Sequence, residues 1–118
     1  MAVSYEQVRE WVLALPGTQE VMVESWGHPT LRVGDKMIAS GMPDSPTMTV
    51  KASREDQAEL IAAAPETYAV AEYVGRFGWV RVTLAAADEA ELRRIVEDAW
   101  RSTAPKKIIR AYDSAQSQ

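Results

Sequence analysis

The chain has 118 residues, of which 47% are hydrophobic, and this suffices for one domain with its own core. It contains no cysteine, which excludes disulfides, thiolate metal sites and thiol nucleophiles. With 13 Lys and Arg against 17 Asp and Glu, the formal net charge is -4, which excludes an overall basic field that attracts nucleic acid.

The sequence shows no apolar run of the kind found in signal peptides or membrane helices. Residues 1–10 are polar and helix-like, and no stretch approaches the ~18 apolar residues that a membrane helix needs. We therefore expect a cytoplasmic protein that does not enter a membrane.

The N-terminal segment predicts a helix. Ser4 and Gln7 have the spacing of a capping box, in which each side chain satisfies a free backbone N–H. One apolar stripe follows at positions i, i+3, i+4 and i+7, namely Val8, Trp11, Val12 and Leu15. Pro16 and Gly17 are expected to end the helix.

The next segment predicts a β-hairpin. Gly34-Asp35 is a two-residue turn signal, because Gly tolerates the positive φ that a tight turn needs. The pairs that this turn sets opposite each other, all on one face of the sheet, are Val33 with Lys36 and Leu31 with Ile38. A loop over residues 41–46 follows, and residues 48–51 predict a further strand.

The second half of the chain predicts two helices around a strand. Ser53 starts one helix and Pro65 ends it, whereas residues 66–78 fit either strand or turn. Residues 79–84 alternate as a strand. Asp88 starts the last helix, whose apolar stripe is Leu92, Ile95, Val96, Ala99 and Trp100. From about residue 113 we expect a loose tail.

This order of elements predicts an α+β fold. Helices separated by hairpin-connected strands favour an antiparallel sheet packed on one face by helices, in two layers. We find no repeat or linker, so residues 1–118 are expected to form a single domain.

Few residues offer chemistry. His28 is the single histidine and lies in a predicted turn, where it more often packs or hydrogen-bonds than catalyses. The Gly75 to Gly78 segment precedes a strand, not a helix, so it is not a dinucleotide fingerprint. We expect no catalytic residue, no metal site and no cofactor.

Cations and aromatic residues lie near each other in two segments. Lys36 is either a lysine snorkelling at the sheet edge or a charge placed to meet an anion. Aromatic rings that stack on bases, together with cations that contact phosphates, bind exposed bases. For Trp79, packing in the core is an equally good explanation. The residues predicted to contact nucleic acid are Arg32, Lys36, Arg76, Arg81 and Trp79, beside the aromatic Trp26, Tyr73 and Phe77.

Several segments, by their order and spacing, resemble the MmcQ/YjbR family over roughly residues 5–105. These segments are Leu15-Pro16-Gly17-Thr18, the run from Trp26 to Val33 with Lys36, Ala64 to Tyr68, Gly78 to Val82, and Leu92 to Ser102. Near Trp100 the chain departs from the family, which usually has Ser-Tyr there.

The resemblance implies a fold similar to that of the bacterial frataxin CyaY and DNA binding through a "double wing" arrangement. Because the net charge is negative, we expect such binding to be weak. The resemblance also carries over six residues whose role it does not specify: the four motif residues Trp26, Gly27, His28 and Pro29, together with Lys36 and Trp79. A frataxin-like iron site is not implied, because the first helix offers only Glu6 and Glu10. The alternative function is a protein or small-ligand interaction domain that binds no nucleic acid.

Overall fold

The computed structural model describes residues 3–116, which form four helices and six strands. The helices are α1 (Tyr5–Leu13), α2 (Arg54–Ala63), α3 (Glu89–Thr103) and α4 (Lys106–Gln116). The strands are β1 (Thr18–Val23), β2 (His28–Val33), β3 (Lys36–Gly41), β4 (Thr47–Val50), β5 (Tyr68–Val70) and β6 (Val80–Thr83). Short 3₁₀ turns lie at Gly75–Phe77 and Leu84–Ala86.

The six strands form one antiparallel sheet in the order β1-β2-β3-β4-β6-β5. α1 packs against β1 and α3, α3 packs against β3 and β4, and α2 packs against β5. The predicted α+β class, with helices on one face of an antiparallel sheet, is confirmed. The likeness to CyaY stays a prediction.

The core lies between the sheet and helices α1 and α3. The predicted apolar stripe of α3 is buried from Leu92 to Trp100. Trp100 is fully buried, and its Nε1 donates to the carbonyl oxygen of Pro16 at 2.9 Å. All three predicted caps form, because the side chains of Ser4, Ser53 and Asp88 each accept from a backbone N–H three residues later.

The predicted hairpin turn forms between β2 and β3. Gly34 has a φ of +59°, and Val33 lies opposite Lys36. Directly opposed residues share a face and successive residues alternate, so Lys36 lies on the helix side while Arg32 lies on the open side.

One predicted pairing in this hairpin is wrong. Leu31 lies opposite Ala39 and not Ile38, because a β-bulge makes Ile38 an extra residue of β3. Ile38 and Ala39 are both fully buried. The bulge therefore adds a second buried apolar side chain to the core.

Two elements differ from the sequence-based expectation. No strand was predicted over residues 18–23, and β1 is an edge strand whose residues are half-buried or exposed. α4 continues to Gln116, where a loose tail was expected from about residue 113. Arg101 donates to both carboxylate oxygens of Asp113, at 2.8 and 3.1 Å, and Tyr112 packs edge-on against Trp100. These contacts attach α4 to α3.

Candidate functional site

The antiparallel pairing gives the sheet two distinct ends. Lys36 starts β3, Lys51 follows β4 and Trp79 precedes β6. They lie at the same end, because β3 pairs with β4 near Val50 and Val50 pairs with Val80. We name this the turn end, since the β2–β3 turn is there. The β1–β2 turn and the β3–β4 loop lie at the opposite end.

Cations gather at the turn end. Lys36 is exposed there, and the Arg32 guanidinium reaches the turn by donating to the carbonyl oxygen of Asp35 at 2.8 Å. Lys51 Nζ donates to Thr103 Oγ1 at 2.6 Å, which brings the α3–α4 junction to this end. We call the resulting set the basic cluster: Arg32, Lys36, Arg54, Arg76, Lys106 and Lys107.

The basic cluster has few neighbouring acids. The carboxylates near the turn end include Asp35, Glu55, Asp56, Glu72 and Asp98. At the opposite end, residues 24–29, 42–46, 64–68 and 84–89 contain no Lys or Arg, and they contribute Glu24, Asp44, Glu66, Asp88 and Glu89. Positive side chains thus lie mainly at one end of the strands and the segments at the other end carry only negative ones, although the net charge of the chain is negative.

The loop before β6 presents two exposed aromatic rings beside the basic cluster. Tyr73 is 92% exposed and has a φ of +62°, a conformation that is rare for a bulky residue. Phe77 is 55% exposed, and the guanidinium carbon of Arg76 lies 4.8 Å from the centre of its ring. Exposed rings in a strained backbone suit stacking against a ligand.

Hydrogen bonds from α2 fix this loop. Gln57 Nε2 donates to the carbonyl oxygens of Gly75 and Trp79, both at 2.8 Å. Arg54 Nε donates to the carbonyl oxygen of Arg76 at 2.9 Å. The loop backbone is therefore held from the side, while the rings point to solvent.

The five residues predicted to contact nucleic acid do not form one surface. Arg32 and Arg81 lie on the open face of the sheet, and strand alternation places Trp79 there too. Two strands separate β2 from β6, which puts about 14 Å between their axes. Lys36 lies on the helix side, and Arg76 lies in the loop.

The four motif residues lie at the opposite end of the sheet, away from the basic cluster. Trp26 is 54% exposed, and its ring centre lies 5.8 Å from that of His28. His28 Nδ1 lies 3.1 Å from the carbonyl oxygen of Pro29. The residue Pro29 is itself buried. Gly27 has a φ of +74° in the β1–β2 turn. This arrangement fits packing within a turn.

Comparison with known families identifies the domain. The model of the YjbR family matches residues 13–102. The chain belongs to the YjbR family. The match runs from the end of α1 into α3, so the basic residues of α4 lie outside the matched range.

A solved structure has a similar fold. The crystal structure of Deinococcus radiodurans protein DR2400, whose domain is described as DUF419, has a TM-score of 0.74 and 20% identity. The similarity covers 82% of this chain and 75% of that chain. At this identity the similarity establishes the fold alone. A search of curated proteins gives no match.

Residues 3–116 offer neither a clustered metal site nor a membrane-spanning helix. This range holds no group of three His, Asp or Glu side chains placed to bind a metal ion. Within the same range, no helix is long and apolar enough to cross a bilayer.

The sequence pattern missed two features of the site. Tyr73 was noted only as a neighbour of cations, because its φ and exposure leave no trace in residue spacing. Lys51 was read as an ordinary strand residue. Burial, and then the like charge of Lys36, lower the pKa of Lys51, which marks it as a poorly compensated cation.

Proposed function

We propose that this YjbR-family chain is a non-enzymatic domain that binds DNA weakly, through the basic cluster and the two exposed rings of the loop before β6. The observation that carries the proposal is the exposure of Tyr73 and Phe77 in the loop before β6, with Arg76 beside the Phe77 ring, at the end of the sheet where cations exceed carboxylates. Rings of this kind stack on unpaired bases, and the cations meet phosphates.

The proposed binding is weak and depends on salt. With three to five phosphate contacts, the log–log slope of affinity against salt is roughly −2 to −4 on single strands. The net charge of -4 opposes long-range attraction. Dissociation constants in the micromolar range or above are therefore expected near physiological salt.

The absence of catalysis is part of the proposal. Within residues 3–116, the one hydrogen bond of the His28 ring is to a backbone carbonyl, so no serine–histidine or histidine–carboxylate pair supports a nucleophile. Stacking and charge neutralisation require no reacting group.

The first experiment is a titration of labelled single-stranded and duplex DNA at low salt, followed by fluorescence anisotropy. We expect saturable binding, tighter to the single strand because its bases are free to stack. If neither DNA binds at tens of micromolar protein, the DNA-binding proposal is wrong.

Variants locate the binding surface. Tyr73→Ala and Phe77→Ala should each weaken single-strand binding about tenfold, because stacking is worth roughly 1–3 kcal/mol per base. Trp26→Ala is the matched control, since it removes an exposed ring at the opposite end of the sheet. Equal losses in all three variants would point to a nonspecific effect of removing aromatic surface.

A second candidate function, protein interaction, is favoured by the exposed apolar side chains at the opposite end. Met22, Trp26 and Met42 are 59%, 54% and 44% exposed. Exposed apolar surface of this kind marks contacts with a second chain. On this alternative, Trp26→Ser lowers the concentration-dependent self-association measured by light scattering and leaves DNA titrations unaffected.

A further inference from the structure

A groove of about 440 Å³ lies between α2 and α3 on the helix side of the sheet. Its volume is within the ~300–1,000 Å³ range of small-ligand sites. Its lining includes Lys51, Asp56, Leu60, Ile95 and Asp98.

The groove exists because α2 does not close against α3. α2 packs against β5, whereas α3 packs against β3, β4 and α1, so the two helices lie over different strands. α2 buries no residue completely, and Leu60 is only partly buried against the core. An apolar floor formed by Leu60 and Ile95 is thus left within reach of a ligand.

Lys51 is the more buried of the two cations that line the groove, the other being Arg94. Lys51 is half-buried, and its ammonium donates to a neutral acceptor, Thr103 Oγ1. Within residues 3–116, no carboxylate forms an ion pair with it, and Lys36 adds a like charge nearby. A partly desolvated ammonium without a counter-charge is unfavourable, so an anionic group placed here would be stabilised.

Two carboxylates lie at the same end of the groove. Asp56 is in the first turn of α2, and Asp98 is five residues before Thr103, about 7–8 Å along α3. Neither side chain has a hydrogen-bond partner among the described residues. Leu60 and Ile95 lie one turn farther from Lys51, on α2 and α3 respectively. Glu59 and Arg94 are the other charged residues of the groove.

The groove therefore holds Lys51 and two carboxylates at one end. Toward the other end, Leu60 and Ile95 form an apolar floor beside the exposed Glu59 and Arg94. We propose that it binds a free amino acid with a large apolar side chain. The carboxylate of the ligand contacts Lys51, its ammonium lies between Asp56 and Asp98, and its side chain covers Leu60 and Ile95. This site is separate from the exposed rings, so it stands independently of DNA binding.

The experiment is an NMR titration of the isotopically labelled full chain with L-phenylalanine and L-leucine. Saturable amide shifts are expected in residues 51–63 and 94–103. Two comparison ligands each lack one charge: phenylalaninamide has no carboxylate and 3-phenylpropionate has no ammonium. Each should bind about tenfold more weakly or worse, because a charged hydrogen bond is worth roughly 1.5–3 kcal/mol.

Two variants test the contacts on the protein. Lys51→Met keeps an apolar stem and removes the charge, and Asp98→Asn preserves shape. Each should weaken L-phenylalanine binding about tenfold, while Arg110→Met, a change of an exposed cation on α4, leaves it unchanged. Thermal melting checks that every variant is folded.

Three results would overturn the proposed amino-acid site. The proposal is overturned if neither amino acid shifts the groove residues, or if Lys51→Met binds as tightly as the unmodified chain. It is equally overturned if 3-phenylpropionate matches L-phenylalanine, since the carboxylates would then have no role.

Discussion

At the level of single residues, two glycines with positive φ test different physical costs. Gly34 has a φ of +59°, and a Cβ added there meets no atom within 4 Å. Gly78 has a φ of +106°, and an added Cβ would lie 2.4 Å from the carbonyl carbon of Ser53 and 2.5 Å from the nitrogen of Arg54. Gly34→Ala should cost roughly 1–2 kcal/mol, and Gly78→Ala roughly 2–5 kcal/mol.

The measurement for this glycine pair is urea unfolding, with the free energy of unfolding compared between the two variants. Gly78→Ala should lower the free energy of unfolding more than Gly34→Ala does, because only Gly78 combines backbone strain with a close approach to α2. Equal losses would show that the loop before β6 moves away from α2 without cost.

Residue spacing predicted some site residues and missed others for physical reasons. Gly34 was predictable, because a two-residue turn between alternating strands demands a residue that tolerates positive φ. The exposure of Tyr73 was not, because it depends on how Gln57 and Arg54 hold the loop across more than 15 residues of sequence. Long-range contacts of this kind have no local signature.

At the level of elements, one carboxylate on β1 accepts two hydrogen bonds from α1, in addition to the bond that Thr18 Oγ1 donates to the carbonyl oxygen of Val12. Tyr5 Oη and Arg9 Nε donate to the two oxygens of Glu20, at 2.7 and 3.0 Å. Burial disfavours the ionised form of Glu20, but these two hydrogen bonds outweigh it and lower its pKa. Because the folded-state pKa lies below the unfolded one, Glu20 stabilises the fold above the usual glutamate range, about pH 4.3.

This stabilisation is lost as the pH falls through the lowered pKa. Glu20→Gln should therefore lose less stability than the unmodified chain between about pH 5 and pH 3. The free energy of unfolding, measured by urea at each pH, is the readout. Glu24→Gln, a change in the exposed β1–β2 turn, is the control and should follow the unmodified chain. A Glu20→Gln curve that also follows it would contradict the proposed stabilisation by Glu20.

The elements that the sequence predicted well have their own local signals, and the others do not. Caps, an apolar stripe and a terminating proline mark α3, whereas β1 is an edge strand without a strongly apolar face. The bulge at Ile38 was not predictable from strand alternation, because Ile38 and Ala39 are consecutive and yet both are buried in the core. α4 depends on its contacts with Trp100 and Arg101.

At the level of the whole molecule, the distribution of charge matters more than its sum. A six-residue strand separates the two ends by about 20 Å, more than twice the Debye length of about 8 Å at physiological salt. The carboxylates at the opposite end are therefore screened from a ligand at the turn end. This separation allows a chain of net charge -4 to present a local positive surface.

Two double variants test this distribution. Lys36→Gln with Arg76→Gln removes two positive charges and takes the net charge from -4 to -6, whereas Glu24→Gln with Asp44→Asn takes it from -4 to -2. On single-stranded DNA, the first pair should reduce the log–log salt slope by about 1.4, because each lost phosphate contact contributes about 0.7. The second pair should leave the slope unchanged, since those side chains meet no phosphate. A slope that instead follows net charge in both variants would place the DNA contacts outside the turn end.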